Sequence, residues 1–124
     1  MLIDTDFFLS NRSDSLVLDV RSPEEYRRGH IPGAESFPLF SDAERAEVGT
    51  LYVRHSRQAA VERGLEFVGP RMAEMVREAR SLAAGRDIIL YCWRGGMRSE
   101  SVAWLLSVAG LRIRRLRGGY KAYR

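Results

Sequence analysis

Three short apolar runs punctuate the chain, and each ends in turn chemistry. "SLVLDV" (15–20) has the continuous hydrophobicity of a strand covered on both faces, and Ser22-Pro23 turns the chain just beyond it. "DIILYC" (87–92) is a second such run and stops where Gly95-Gly96 begin, while "LRIRRL" (111–116) alternates and is closed by Gly118-Gly119. The stretches between them carry a helical period instead. Val102, Leu105, Leu106 and Ala109 follow i, i+3, i+4, i+7 spacing, with Gly110 as the stop, which predicts a helix starting near Arg98-Ser99. In "PRMAEMVREARSLAAG" (70–85), Pro70 suits a first helical position, and Met72, Met75, Val76, Ala79 and Leu82 or Ala83 share one face. Ser41 and Glu44 form a capping box at the head of 41–69, a stretch predicted to hold two short helices interrupted near Gly49. Strands alternating with helices imply a parallel α/β sheet. No repeat or linker divides the chain, so residues 1–124 read as one domain.

Composition narrows the classes. Apolar residues make up 45% and charged residues 29%, ordinary values for a soluble globular chain. No apolar run approaches the ~20 residues of a membrane span, and the acidic N-terminus lacks the pattern of a signal peptide. One cysteine excludes an intrachain disulfide and makes a reducing, cytoplasmic setting the simplest expectation. With His30 and His55 scattered, no metal-ligand spacing exists, so no metal is expected. The net charge is +4, and Lys121 is the sole lysine among 20 basic residues. The arginine excess suits phosphate or carboxylate, but solvated helix faces would explain it equally well.

The lone cysteine sits in "YCWRGGMRS" (91–99). A solitary cysteine is commonly a small buried hydrophobe. Here it lies between a predicted strand and a predicted helix, at the sheet end where parallel α/β folds bind ligands. The amides opening a helix, with Arg94 and Arg98, would favour thiolate over thiol at Cys92. Gly95 and Gly96 let successive amides turn inward as an anion-binding nest. Cys92 is therefore the candidate nucleophile, and Trp93, Arg94, Gly95, Gly96, Met97, Arg98 and Ser99 the candidate anion-binding loop. No acidic residue lies between Cys92 and Ser99, which suits a good leaving group better than an ester. An acid from elsewhere would come from Asp19 or Glu25.

These residues carry a resemblance. "LDVRSPEEYRRGHIPGA" (18–34), "YCWRGGMRS" and "LRGGY" (116–120) resemble, in order, the N-terminal signature, active-site loop and closing Leu-x-Gly-Gly of rhodanese-type sulfurtransferase domains. The resemblance implies a rhodanese-like, five-stranded parallel sheet with helices on both faces. It also implies a persulfide carried on Cys92, with the loop from Trp93 to Arg98 cradling the transferred sulfur. Together with "ERAEVGTLY" (44–52) and "GGYKAYR" (118–124), the loop is similar to the rhodanese domain of the tRNA 2-selenouridine synthase family. That family replaces sulfur by selenium at a 2-thiouridine in tRNA, using selenophosphate, and joins its rhodanese domain to a P-loop domain. No Gly-x-x-x-x-Gly-Lys-Ser/Thr occurs here, so the expectation is an excised domain or half of a split enzyme, with the P-loop domain in cis or trans.

Loop length adds a second class. Five residues separate Cys92 from Arg98, whereas common single-domain rhodaneses have four. Cys-x5-Arg resembles the dual-specificity phosphatases and arsenate reductases built on the same fold, and admits a tetrahedral oxyanion as large as phosphate. Selenophosphate has that shape too, so a selenophosphate or thiosulfate-like donor, without a cofactor, is the expected substrate. The alternatives are a phosphatase or arsenate reductase, and a non-catalytic module that docks tRNA or a partner. Among supporting residues, Asp19 and Arg21 read either as a buried ion pair or as charge near the loop. His30 reads as structural, Trp93 as a pocket wall or a base-stacking surface, and Met97 as pocket lining. Arg112, Arg114, Arg115 and Arg117, with Arg124, read as solvated charge on an exposed strand edge or as a surface for tRNA phosphates or the missing domain.

Overall fold

A computed structural model describes residues 1–124. The chain forms β1 (Leu2–Ile3), α1 (Thr5–Asn11), β2 (Ser15–Asp19), α2 (Pro23–Arg28), β3 (Glu35–Ser36), α3 (Asp42–Arg54) and α4 (Arg57–Val68). It continues through α5 (Met72–Ala83), β4 (Asp87–Tyr91), α6 (Met97–Val108), β5 (Ile113–Leu116) and α7 (Gly119–Tyr123). The five strands form one all-parallel sheet in the order β1-β5-β4-β2-β3. Leu18 lies opposite Leu90, and Asp19 opposite Tyr91, so β2 and β4 end level at the sheet's carboxyl edge.

Alternation along the central strands divides the core in two. Leu16, Leu18, Ile88 and Leu90 face Met75, Ala79 and Ala83 of α5 and Val102 and Leu106 of α6. Val17, Ile89, Tyr91 and Leu116 face Phe8 of α1 together with Ile31 and Ala34. Helices thus cover both faces, which is why β2 and β4 read as continuous apolar runs. No helix is long and apolar enough to cross a membrane.

Three expectations need correction. α3 runs unbroken through Gly49, and the chain breaks at His55–Ser56, where the Ser56 hydroxyl accepts from the Ala59 amide and starts α4. A helical glycine costs about 1 kcal/mol but does not end a helix, whereas a serine cap begins a new one. Pro70 belongs to a 3-10 turn over Gly69–Arg71, and α5 begins only at Met72. β5 is not an edge strand: it lies between β1 and β4, because residues 2–3 add a short outer strand that the sequence pattern does not reveal. The arginines in β5 and just before it are correspondingly engaged. Arg112 and Arg114 both pair with Asp87, and Arg115 Nη1 donates to the Gly95 carbonyl at 3.2 Å.

Candidate active site

Cys92 follows β4 at the centre of the carboxyl edge and is 3% exposed. Trp93–Gly96 form the loop, and α6 opens at Met97 with Gly96 in the N-cap position and no side chain capping its amides. The first amides of this twelve-residue helix therefore have no side-chain cap, an arrangement suited to holding an anion. The Cys92 thiol donates to Ser99 Oγ at 3.3 Å, and the Ser99 hydroxyl donates to the Gly96 carbonyl at 3.1 Å. If the sulfur is a thiolate, a rotation of that hydroxyl aims its proton at the charge.

The loop's shape is imposed from the C-terminal side. The Tyr120 amide donates to the Cys92 carbonyl at 2.9 Å and the Lys121 amide to the Trp93 carbonyl at 3.0 Å. This approach requires glycine at 119, where φ is +60° and a Cβ would lie 2.3 Å from the Cys92 oxygen. Gly95, at φ +75°, completes the interleaving, since a Cβ there would meet the Gly118 nitrogen at 3.1 Å.

Glu25 organises the cationic side. It is the third residue of a capping box that opens α2, with Ser22 as N-cap. Its Oε1 accepts from Arg98 Nη1 at 2.6 Å, from the Ser22 hydroxyl at 3.1 Å and from the Ser22 amide at 3.2 Å. Burial alone would raise the Glu25 carboxyl, but Arg98 and Ser22 outweigh it and hold the group down at about 2. Arg98, from the loop motif, is therefore fixed, whereas Arg94 is exposed. A second arginine also reaches this cluster: Arg45 of α3 brings its Nε to 3.9 Å from Glu25 Oε1. Sequence reading did not single it out. The available signal was Gly49, four residues later, where a Cβ would sit 2.8 Å from Arg45 Nη1.

Asp19 and Arg21 form the buried ion pair rather than a charge facing the cysteine. Arg21 Nη2 donates to Asp19 Oδ2 at 2.7 Å and to the Gly29 carbonyl at 2.7 Å, with its guanidinium over the Tyr120 ring at 4.5 Å. Burial, then the Asp19 charge, pushes the Tyr91 phenol well above its ordinary range, so it stays neutral while accepting from the Ile31 amide. His30 is structural: its Nδ1 lies 2.8 Å from the Tyr26 carbonyl and its ring stacks on Tyr26. Trp93 is half-buried, packed near Tyr120, with the Arg124 guanidinium 5.3 Å from its ring centre. Met97 is 42% exposed, and its Sδ lies 3.6 Å from Arg57 Nη2.

A buried cysteine thus sits at the end of a central parallel strand, next to an uncapped helix and clamped by a Gly-Gly turn. Residues 8–124 match the Rhodanese-like domain, and the chain belongs to that family. It is 44% identical over 122 residues to the tRNA 2-selenouridine synthase of Ectopseudomonas mendocina (strain ymp), covering 96% of this chain and 32% of that protein. It is 43% identical to the tRNA 2-selenouridine synthase of Pseudomonas fluorescens (strain Pf0-1), again over 96% of this chain and 32% of the relative. The chain thus spans about a third of the length of these curated relatives. Among solved structures, the N-terminal domain of a Clostridium difficile 630 protein described as ATP/GTP binding aligns with a TM-score of 0.93. That pair is 38% identical, over 100% of this chain and 96% of the other. A rhodanese-related protein of Thermoplasma volcanium aligns with a TM-score of 0.61 at 20% identity, over 98% of this chain and 88% of the other, and shares the fold.

Proposed function

We propose that this domain transfers sulfur or selenium through Cys92, as the rhodanese part of a tRNA 2-selenouridine synthase. The observation that carries the reading is the placement of Cys92 Sγ, 3.3 Å from Ser99 Oγ at the uncapped start of α6. With a thiosulfate-like donor, the Cys92 thiolate attacks the outer sulfur. The sulfur–sulfur bond to the sulfonyl group breaks, sulfite leaves with the electron pair, and Cys92 holds Cys–S–S⁻. A selenosulfate-type donor gives Cys–S–Se⁻ by the same displacement. The loop amides and Arg98 stabilise the anion in either case. Selenophosphate is a tetrahedral oxyanion that the wider loop accommodates, tRNA is the final acceptor, and the P-loop domain acts in cis or in trans. A cytoplasmic setting keeps the lone thiol reduced.

Phosphatase chemistry on the same Cys-x5-Arg loop fits less well. An ester leaving group needs a proton. Glu25, held at about 2, is ionised near neutrality, and Asp19 is committed to Arg21. The test is a paired assay. Thiocyanate formation from thiosulfate and cyanide, lost in Cys92→Ser, with no aryl phosphate turnover, is the expected result. Aryl phosphate turnover without thiocyanate formation contradicts it.

A further inference from the structure

Arg45 is unsatisfied where it stands. Its Nε is buried without a hydrogen-bond partner, and its ion pair to Glu25 is long, at 3.9 Å. The carboxylate oxygen it approaches is already taken by Arg98 and Ser22. Two guanidinium groups therefore share one carboxylate, leaving a net positive charge beside the cysteine loop. Burial and the like charge of Arg98 pull the Arg45 guanidinium below its ordinary value, while Glu25 and Cys92 act in the opposite sense. The side chain as a whole is 41% exposed, so it is the buried Nε that lacks a partner, and an anion reaching the guanidinium would supply an acceptor. Arg45 also borders an open cleft of about 590 Å³ between α2 and α3, whose lining includes Glu25 and Arg54 and two further carboxylates, Glu24 and Asp42, that are paired with Arg28 and Arg27. Arg45 fills the space over Gly49, where a Cβ would lie 2.8 Å from its Nη1 and push that flexible end aside. Glycine in the middle of a helix is unfavourable and asks for such a reason.

We infer that Arg45, placed by Gly49 and Glu25, binds the tetrahedral oxyanion end of the chalcogen donor, sharing that group with Arg98 and the first amides of α6. The proposal rests on the transfer reading, which supplies the donor, and adds the residue that selects it. The shared chemistry is an XO3 group, either the sulfonyl of a thiosulfate- or selenosulfate-type donor, which leaves Cys92 as sulfite in the displacement, or the phosphoryl of selenophosphate, which the site would bind as an anion without that displacement taking place on it. A guanidinium from α3 reads that group without touching the transferred atom. Its loss therefore weakens binding of the donor more than it slows the displacement.

The experiment is calorimetric titration of the protein with inorganic phosphate and, separately, inorganic sulfate, at low ionic strength. Arg45→Gln is expected to weaken the tighter anion about tenfold and Arg45→Lys to weaken it less, as befits a hydrogen bond between charged groups. Gly49→Ala is the decisive companion. It improves helix propensity, so its Tm stays level or rises, yet by displacing the guanidinium it weakens anion binding. Tighter phosphate than sulfate assigns the phosphoryl donor, and the reverse the sulfonyl donor. Either order supports Arg45 provided Arg45→Gln loses the anion. Unchanged anion affinity in Arg45→Gln, or no measurable anion binding to the unmodified protein, overturns the inference. Failure of the transfer reading is seen separately, as absence of chalcogen on Cys92 in a protein that still binds the anion.

Discussion

The Tyr120 amide donates to the Cys92 carbonyl at 2.9 Å, so the last helix of the chain holds the backbone of the candidate nucleophile. The contact exists because Gly118 and Gly119 both adopt positive φ, +76° and +60°, and bring α7 against the loop without side chains between them. The geometry of the site thus depends on a segment 27 residues beyond the cysteine.

Gly119→Ala tests that dependence. A Cβ 2.3 Å from one carbonyl oxygen and 2.7 Å from the next forces the loop and α7 apart. The expected cost is about 2–3 kcal/mol in a urea titration, together with loss of thiocyanate formation.

Ser99→Ala removes the hydroxyl 3.3 Å from the cysteine sulfur. A hydrogen bond to a charged group contributes about 1.5–3 kcal/mol, so alkylation of Cys92 by iodoacetamide near neutral pH should slow about tenfold or more. An unchanged rate would show that the hydroxyl serves only the Gly96 carbonyl.

Glu25 gives a pH signature. Its folded-state value, about 2, lies below the ordinary 4.5, so its contribution to stability is fully present above 4.5 and is lost as pH falls toward 2. Glu25→Gln should be less stable than the unmodified protein near neutral pH, and the two should converge as the solution is acidified through that window. Parallel stability curves across it would contradict the Arg98–Glu25 pairing.

The proposed tRNA contact would fall on the exposed cations. Arg114 is tied to Asp87 and its guanidinium lies 5.2 Å from the Phe7 ring centre, whereas Arg94, Arg117 and Lys121 are exposed on the segments that frame the loop. Replacing those three with alanine should weaken tRNA binding and flatten its salt dependence by roughly 0.7–0.9 per lost phosphate contact. Arg114→Ala should change the slope much less.

The central strands and the cysteine loop were legible because their signals are local. Buried parallel strands are apolar throughout, and a loop that turns backbone amides inward needs glycine. β1 and β3 were not legible, since two-residue strands are set by their neighbours rather than by their own pattern. The helix expected to break at Gly49 shows the same limit from the other side. Intrinsic propensity reads that glycine as a stop, whereas the tertiary structure uses it to seat Arg45. The Glu25–Arg98 pair joins residues 73 positions apart, and only the meeting of α2 with α6 reveals it.

Intact mass spectrometry of the protein after incubation with a thiosulfate-like or selenosulfate-type donor tests the central claim most directly. The prediction is a gain of one sulfur or one selenium atom, located on Cys92, released by cyanide or a thiol and absent from Cys92→Ser. A protein whose mass does not change, or whose adduct persists in Cys92→Ser, contradicts chalcogen transfer through this cysteine.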